Sequence, residues 1–372
     1  VQPRPVRVRL LTASPRQALA FFLPGIETRD PQLLGSGNVN DTWLVVTMAG
    51  GKYVLQRLNP HVFTEPGLVQ DNLAIVSRHL QVQLQQIETT FIPLRVLRNP
   101  SGAASFIASD GTWWRLLSYI DDSQALNTVS TAEQSRAIGQ GLGLFHRLTS
   151  SLDPSSLTDP LPDFHCTPRY LELYDLLLPA ADSCAADCRD FINDRRQDLS
   201  LLEDARRQGT VRQQVIHGDP KVANFLFSRN GSQVISLIDL DTVKPGLLLH
   251  DIGDCLRSCC NPRGEEGQPA GDVVFEQELF AAMLAGYFSQ SFALLTSRDK
   301  QLIVDSVRLI SFELGLRFYS DHLAGNRYFK VNRPAHNLFR ARMQFALVRS
   351  IEEQYSDLLK ICSAALEAAD TG

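Results

Sequence analysis

The stretch from 211 to 257 concentrates groups that can handle a phosphate and a metal ion. A short apolar run, Val215-Ile216, delivers His217-Gly218-Asp219, and Asn224 follows. A second apolar run, Val234 to Ile238, delivers Asp239-Leu240-Asp241, with Asp251 and Asp254 soon after. Phosphoryl transfer asks a protein for three things: a carboxylate to orient the attacking hydroxyl and accept its proton, oxygen ligands for Mg²⁺, and a donor set over the nucleotide phosphates. Asp219 suits the first. Asn224 and Asp239 suit the second, because Mg²⁺ takes carboxylate, amide and phosphate oxygens and keeps part of its water shell. Asp241 is an extra carboxylate; it supports the metal shell, reaches the acceptor or braces the loop.

Local structure has to bring these groups together. Asn224-Phe225-Leu226-Phe227 alternates, Asn230-Gly231 is a strong two-residue turn, and 233–238 reads as the return strand. The hairpin carries Asn224 at its start and Asp239 at its exit, so both can face one point close to Asp219.

The run His217-Gly218-Asp219-Pro220-Lys221-Val222-Ala223-Asn224, followed by Ile238-Asp239, resembles the paired motifs of the aminoglycoside phosphotransferase and choline kinase superfamily. The resemblance implies a bilobal, protein-kinase-like α+β fold. Its N-lobe is small and built on a mostly antiparallel sheet, and its C-lobe is larger and mainly helical. It also implies ATP and Mg²⁺ as cofactors, Asp219 as catalytic base, Asn224 and Asp239 as metal ligands, His217 as a brace of the loop and Asp251 as a structural aspartate. Further segments, among them Gly37-Asn38-Val39-Asn40-Asp41-Thr42-Trp43, Tyr53 to Asn59, Ile238 to Gly246, Arg317 to Leu323 and Tyr328-Phe329-Lys330, are similar to the N-acetylhexosamine 1-kinase branch. That branch implies a sugar acceptor phosphorylated at its anomeric hydroxyl, with Arg317, Asp321 and Tyr328 lining the sugar pocket. A local ion pair between Arg317 and Asp321, four apart on one helix side, is the plainer alternative.

The nucleotide side is read from the first third of the chain. Gly35-Ser36-Gly37-Asn38-Val39-Asn40 puts small, turn-forming residues between two apolar runs, so its backbone N–H groups can approach phosphates. In the superfamily a basic residue on the third strand, here 52–58, holds those phosphates. The matching position is Gln56, with Arg57 beside it. Alternation puts the two on opposite faces, so only one can point at the ligand. Glu65 or Asp71, on or before a helix over 66–84, can pair with that basic residue. Tyr119 lies where a lobe-connecting hinge would meet the adenine, which divides the chain into a nucleotide lobe over 1–118 and a catalytic and acceptor lobe over 119–372.

Other elements follow from periodicity and caps. A short helix over 14–22 starts at Ser14, and strands are expected at 91–93, 104–108 and 113–119. Helices are expected over 131–149, 170–178, 184–208, 275–289, 302–323 and 338–359. Gly139, Gly141 and Gly143 weaken the first of these unless it packs closely against a neighbour. His146 reads as a packed structural histidine. The stretch 261–272, rich in Gly, Pro and Glu, reads as a mobile loop.

The whole chain bounds these readings. At 372 residues it is long enough for two lobes with a substantial core. Its 44% apolar and 21% charged composition is that of an ordinary soluble protein, and a formal net charge of −5 with no basic block argues against nucleic acid. No apolar run reaches the roughly 18 residues of a membrane span. The seven cysteines show no zinc spacing and fit a reducing, cytoplasmic setting. The expected partner is a small molecule. The alternatives are a kinase of choline, ethanolamine, homoserine or an aminoglycoside, or a catalytically silent nucleotide-binding protein.

Overall fold

The computed structural model describes residues 13–34, 39–178, 184–267 and 273–371. The fold is bilobal and α+β, with a smaller sheet-rich N-terminal part and a larger helical C-terminal part. The chain divides into two compact units. One runs to Gln70 and resumes over Leu94–Tyr119; the other holds Asp71–Pro93 and everything from Ile120.

The first unit opens with α1 (Pro15–Phe22). Ser14 caps it, accepting from the Gln17 amide while Gln17 reaches back to the Ser14 N–H. Strands β1 (Gln32–Leu33), β2 (Asp41–Val46) and β3 (Lys52–Arg57) follow; after helix α2 (Pro66–Leu84), most of which belongs to the second unit, come β4 (Val96–Leu97), β5 (Phe106–Ile107) and β6 (Trp113–Ser118). These six described strands form one antiparallel sheet in the order β1-β2-β3-β6-β4, with β5 also on β6. Gly111, at φ +81, makes the β5–β6 turn. Helix α1 covers one face of the sheet: Ala18, Leu19 and Phe22 pack with Val45, Leu55, Trp114 and Leu116.

The expected strand over 91–93 is not one. Ile92 N–H donates to the Ile235 carbonyl at 2.7 Å and the Ser236 hydroxyl donates to the Ile92 carbonyl, but Pro93 has no N–H with which to continue a ladder.

In the second unit β7 (Ser123–Ala125) leads to α3 (Ala132–Thr149), α4 (Thr167–Leu177), α5 (Ala186–Asn193) and α6 (Leu201–Arg207). Next come β8 (Gln213–Ile216), β9 (Phe225–Ser228), β10 (Val234–Leu237) and β11 (Lys244–Leu247), then α7 (Leu248–Cys259). The unit ends with α8 (Gln277–Ser291), α9 (Ser297–Gln301), α10 (Ile303–Leu323), α11 (His336–Glu353) and α12 (Tyr355–Asp370). Strands pair as β10-β9-β7 and as β11-β8, all antiparallel.

Two expected long helices are broken. Over 184–208 the chain leaves helix after Asn193, where the exposed Asn193 side chain accepts from Arg196 Nε at 3.0 Å. Over 338–359 the break is Gln354, whose amide donates to the Phe275 and Ser350 carbonyls and so ties the chain to the start of α8. The described part of the expected mobile loop, 261–267, is also held. Glu265 pairs with Arg257, and Glu266 pairs with His336 and Arg340.

The glycines of α3 do what their cost implied. An ideal Cβ on Gly139 would lie 2.1 Å from the Met283 carbonyl oxygen, and one on Gly286 of α8 would lie 2.1 Å from the Arg136 oxygen. Backbone meets backbone there, so no side chain can yield. Gly139→Ala is therefore expected to lower unfolding stability by about 1–3 kcal/mol, read as a reduced urea midpoint at unchanged slope. An unchanged midpoint would mean the two helices can part at little cost.

Candidate active site

The second unit assembles the loop block. Strand β8 ends in His217, and Gly218 then turns the chain at φ +87, where a Cβ would lie 2.6 Å from the Thr242 carbonyl oxygen. Asp251, fully buried at the start of α7, ties this turn down. Its Oδ2 accepts from His217 N–H at 2.7 Å and its Oδ1 from Gly218 N–H at 2.8 Å. His146 of α3 reaches the same Oδ2 through Nε2 at 2.9 Å, while its Nδ1 meets the Tyr287 hydroxyl at 2.9 Å. Burial alone would raise the Asp251 pKa, but the His146 hydrogen bond and charge and the His217 contacts carry it below the ordinary carboxylate value.

His217 is neutral, and its tautomer is set by its partners. Nδ1 accepts from the Asp219 N–H at 3.2 Å, so Nε2 carries the proton and donates to the Ile238 carbonyl at 2.9 Å. Burial pulls its pKa below the usual imidazole value. One ring thus joins the end of the first motif to the residue before Asp239.

Asp219 sits at the mouth of this arrangement with its side chain 29% exposed. Lys221 Nζ donates to its Oδ2 at 2.6 Å. The Asn224 amide donates to the Asp219 carbonyl at 2.7 Å and to Oδ2 at 3.3 Å. Burial opposes the charge of Asp219, yet Lys221, helped by His217 and Arg257, holds its carboxyl below the ordinary value. Lys221 in turn feels Asp219, Asp239 and Glu265, and they outweigh its burial and raise its pKa. Next to this cluster Asp254 accepts from Arg257 Nε at 2.9 Å and from Nη2 at 2.7 Å. Burial, with the Asp219 charge, pushes the Asp254 pKa up against the pull of Arg257.

The hairpin carries Asn224 just before β9 and Asp239 two residues after β10. Asn224 N–H and carbonyl are both used, the latter by Ile238 N–H at 2.9 Å, which locks the strand start to the strand exit. Asp239 takes the left-handed conformation, φ 64 and ψ 52, which turns the chain out of β10. Because the Asn224 amide nitrogen faces Asp219, its oxygen is left as a ligand atom. A carboxylate plus an amide oxygen is a donor set that fits Mg²⁺, which draws its remaining ligands from phosphates and water. Among the described residues no group of three or more His, Cys, Asp or Glu forms a closed metal cage. Asp241 is only 3% exposed, in the short turn whose Thr242 hydroxyl donates to the His217 carbonyl at 2.8 Å.

The three acceptor-side residues part company. No Arg317–Asp321 pair forms, and Asp321 has other partners. Its oxygens accept from Arg327, Tyr328 and Phe329 N–H at 2.8, 2.8 and 3.0 Å and from Asn337 Nδ2 at 2.8 Å. That fold of chain brings two rings to Arg317. The guanidinium carbon lies 5.7 Å from the Tyr328 ring centre and 5.6 Å from Phe329, with Phe164 at 4.7 Å and Tyr170 at 5.2 Å. Four aromatic faces hold the cation, and among the described residues no carboxylate pairs with it. Burial opposes its charge, yet Tyr170, Tyr328, Glu313 and Asp219 together raise its pKa.

In the first unit Gly35, Ser36, Gly37 and Asn38 lie outside the described residues. Val39 and Asn40 are tied to the segment after β3: Asn59 N–H donates to Asn40 Oδ1 at 3.0 Å and its amide to the Val39 carbonyl at 3.4 Å. Gln56 and Arg57 take opposite faces. Arg57, on the α1 side over the Trp114 ring, pairs with Asp41 at 2.5 Å rather than with Glu65 or Asp71. Gln56 shares the other face with Thr42 and Arg115. Tyr119 carries Lys52 Nζ 5.3 Å above its ring centre.

Residues 30–288 match the model of the phosphotransferase enzyme family (APH). The chain belongs to that family. Solved structures agree at the level of the fold. An aminoglycoside phosphotransferase from Alicyclobacillus acidocaldarius subsp. acidocaldarius DSM 446 is 17% identical, with 97% of this chain and 96% of that one covered at a TM-score of 0.58. A microcompartment-associated aminopropanol kinase is 17% identical, covering 92% and 97% at 0.60. A choline kinase from Cryptosporidium parvum Iowa II is 15% identical, covering 88% and 90% at 0.60. Among the described residues no helix is long and apolar enough to cross a membrane.

Within this phosphotransferase fold, one support went unseen in the sequence. His165, from the loop before α4, contacts the Gly218 carbonyl at 2.7 Å through Nε2 and Glu313 Oε1 of α10 at 3.1 Å through Nδ1. The Thr167 hydroxyl donates to Glu313 Oε2 at 2.8 Å. Burial works against charge on His165, but the Glu313 hydrogen bond and charge prevail, so its pKa is raised and both ring nitrogens can donate. Lys221 was visible in the motif, but its pairing with Asp219 was not inferred.

Proposed function

We propose that this chain transfers the γ-phosphoryl group of ATP to a hydroxyl of a small-molecule acceptor. The reading is carried by the Asp219 carboxylate, held ionised and partly exposed where Asn224 and Lys221 converge on it. In it, Asp219 orients the acceptor hydroxyl and takes its proton as the new P–O bond forms. Asn224 and Asp239 would hold Mg²⁺, which supplies neutralisation of the phosphate charge. Lys221 adds a cation beside the base, and His217, Asp251 and His165 keep the loop in place.

For the acceptor we propose an N-acetylhexosamine, phosphorylated at its anomeric hydroxyl. The Arg317 collar supports this. A guanidinium held by rings, with its N–H donors left over, suits carbonyl and hydroxyl oxygens, and its charge disfavours a cationic acceptor. Tyr328 lines the collar, while Asp321 builds it. The second reading is an amino-alcohol acceptor, favoured by the shared fold with an aminopropanol kinase and a choline kinase.

ADP release from Mg·ATP decides between them. The panel is N-acetylglucosamine, N-acetylgalactosamine, their 1-O-methyl glycosides, choline, aminopropanol and homoserine. The expected result is turnover with a free N-acetylhexosamine, abolished in its methyl glycoside and by chelation of the metal. Turnover only with choline or aminopropanol would replace the acceptor assignment, and no turnover with any hydroxyl would remove the kinase reading.

A further inference from the structure

His165 is remote from the catalytic block in sequence, yet its buried ring sits between two hydrogen-bond acceptors, one of them in that block. Nε2 is 2.7 Å from the Gly218 carbonyl oxygen, and Nδ1 is 3.1 Å from Glu313 Oε1. A carbonyl cannot donate. Glu313 accepts at its other oxygen as well, from the Thr167 hydroxyl at 2.8 Å. A neutral imidazole has a single N–H and serves only one of these neighbours, so both contacts need the doubly protonated ring. The Gly218 carbonyl belongs to the peptide that carries Asp219, and the N–H of that same peptide donates to His217 Nδ1 at 3.2 Å. The peptide is thus clamped between two imidazoles, a donor on its oxygen and an acceptor on its N–H.

The groups packed around His165 suit a cation. Burial works against charge on the ring, and Glu313 of α10 with Asp254 of α7 outweighs it. His250 of α7, 5.1 Å away between ring centres, is neutral, because burial pulls its own pKa well below the ordinary imidazole value. Lys244 of β11 and Arg317 of α10 lie against the Phe164 ring, at 5.7 and 4.7 Å, and Lys244 is paired with Asp159. On the loop of His165 itself, Asp163 faces Arg169 and burial keeps the Cys166 thiol protonated. Asp219 has Lys221 as its ion partner.

We propose that His165 and Glu313 are a positioning pair for the catalytic loop, in which one proton on the imidazole holds the Gly218–Asp219 peptide in place and sets the alkaline limit of turnover. The inference rests on the kinase reading above. Loss of that proton leaves Nδ1 and Glu313 Oε1 facing each other lone pair to lone pair, or, in the other tautomer, Nε2 facing the Gly218 oxygen. One of the two ties breaks in either case. The site is buried, so the lost bond is not made up by bulk solvent. The peptide then turns, and the Asp219 carboxylate moves with it.

The test is kcat against pH with Mg·ATP and N-acetylglucosamine, or whichever member of the panel above turns over. Beside it runs a ring-nitrogen NMR titration of the full chain, with the His165 signals assigned by their loss in His165→Gln. Both His165 nitrogens are expected to carry protons at neutral pH. As the ring loses one on alkalinisation, kcat should fall about ten- to a hundredfold, over the same pH span. The fall should end in a plateau, because Asp219 remains the base, and the KM for ATP should move far less. Glu313→Gln can donate an amide N–H to a neutral ring while its oxygen still accepts from Thr167. In that variant the ring should be neutral already at neutral pH and the alkaline fall absent, whatever level kcat keeps. Urea melts read the folding side. A raised folded pKa means that the contribution of the pair is complete below the ordinary imidazole value and is lost as pH rises through the folded one, so wild type should lose more stability on alkalinisation than Glu313→Gln. A His165 ring that is neutral at neutral pH in the wild type, or an alkaline fall that persists in Glu313→Gln, would overturn the assignment and leave the kinase reading standing. If Glu313→Gln does not fold, the wild type decides alone: a ring and a kcat that titrate over different pH spans would refute the pair. A wild-type chain that turns over no hydroxyl acceptor would take both readings down.

Discussion

Asp219→Asn is expected to lower kcat about a thousandfold or more, the range a positioned general base supplies, with the KM for ATP changed far less. The amide keeps the size and much of the hydrogen bonding of the carboxylate but cannot take the acceptor's proton. Asn224 also donates to the Asp219 main-chain oxygen at 2.7 Å, a bond the substitution leaves in place, so the loop should hold its shape. Lys221 loses its charge partner at 2.6 Å and becomes free to meet a phosphate directly, so nucleotide affinity should hold or rise slightly. Stability should move little, because the carboxylate is partly exposed and an exposed ion pair is worth about 0–1 kcal/mol. The experiment is steady-state kinetics beside a melting curve. A variant that keeps a tenth of wild-type kcat would show that Asp219 is not the base. A variant whose melting temperature collapses would show that the residue belongs to the scaffold.

What the sequence made legible was local. The block from His217 to Asp239 could be read because two strands, one tight turn and a few polar residues fix their own geometry over short separations. Helix α2 could be read because nothing interrupts its period, and α1 because Ser14 and Gln17 form a complete cap. The failures were not local. Period alone ran through Asn193 and Gln354, since each break is made by side-chain bonds, at Gln354 to chain far away in sequence. The local bonding of Asp321 was not legible, because three of its partners are backbone N–H groups, which carry no side-chain signature, and the fourth, Asn337, lies on the next helix. The partner of Gln56, Arg115, could not be read either, because it sits on a strand that meets β3 only in the fold. His165 and Glu313 gave no signal, being separated by most of the helical unit and joined through a carbonyl at Gly218. Catalytic-type residues announce themselves by chemistry and order, whereas the residues that hold them are chosen by position.

That distinction gives the largest structural effect to Asp251. Asp251→Asn is expected to cost about 3–5 kcal/mol of unfolding stability, the range for breaking one side of a buried charged network. Its two oxygens serve His217 N–H, Gly218 N–H and the His146 ring at once. An asparagine offers one acceptor oxygen and puts N–H donors where an acceptor was needed, so at least one backbone N–H is left buried and unpaired, next to a donor instead of an acceptor. The damage should reach the chemistry through position. His217 loses the tie that keeps its ring between the Asp219 N–H and the Ile238 carbonyl, so both Asp219 and Asp239 shift. kcat should therefore fall about a hundredfold, by the rule that an error near 1 Å costs this much, even below the variant's melting temperature. The same carboxyl gives a pH signature. Because its folded pKa lies below the ordinary value, its contribution is complete above that ordinary value and is lost as pH falls through the folded one. Wild-type stability should thus drop on acidification more steeply than that of Asp251→Asn. Urea melts of both proteins from neutral to acid pH, with kcat measured on the folded fraction, test the two effects separately. Parallel pH profiles would mean that Asp251 is not the anchor of the loop, and a full kcat despite lost stability would detach it from the placement of Asp219.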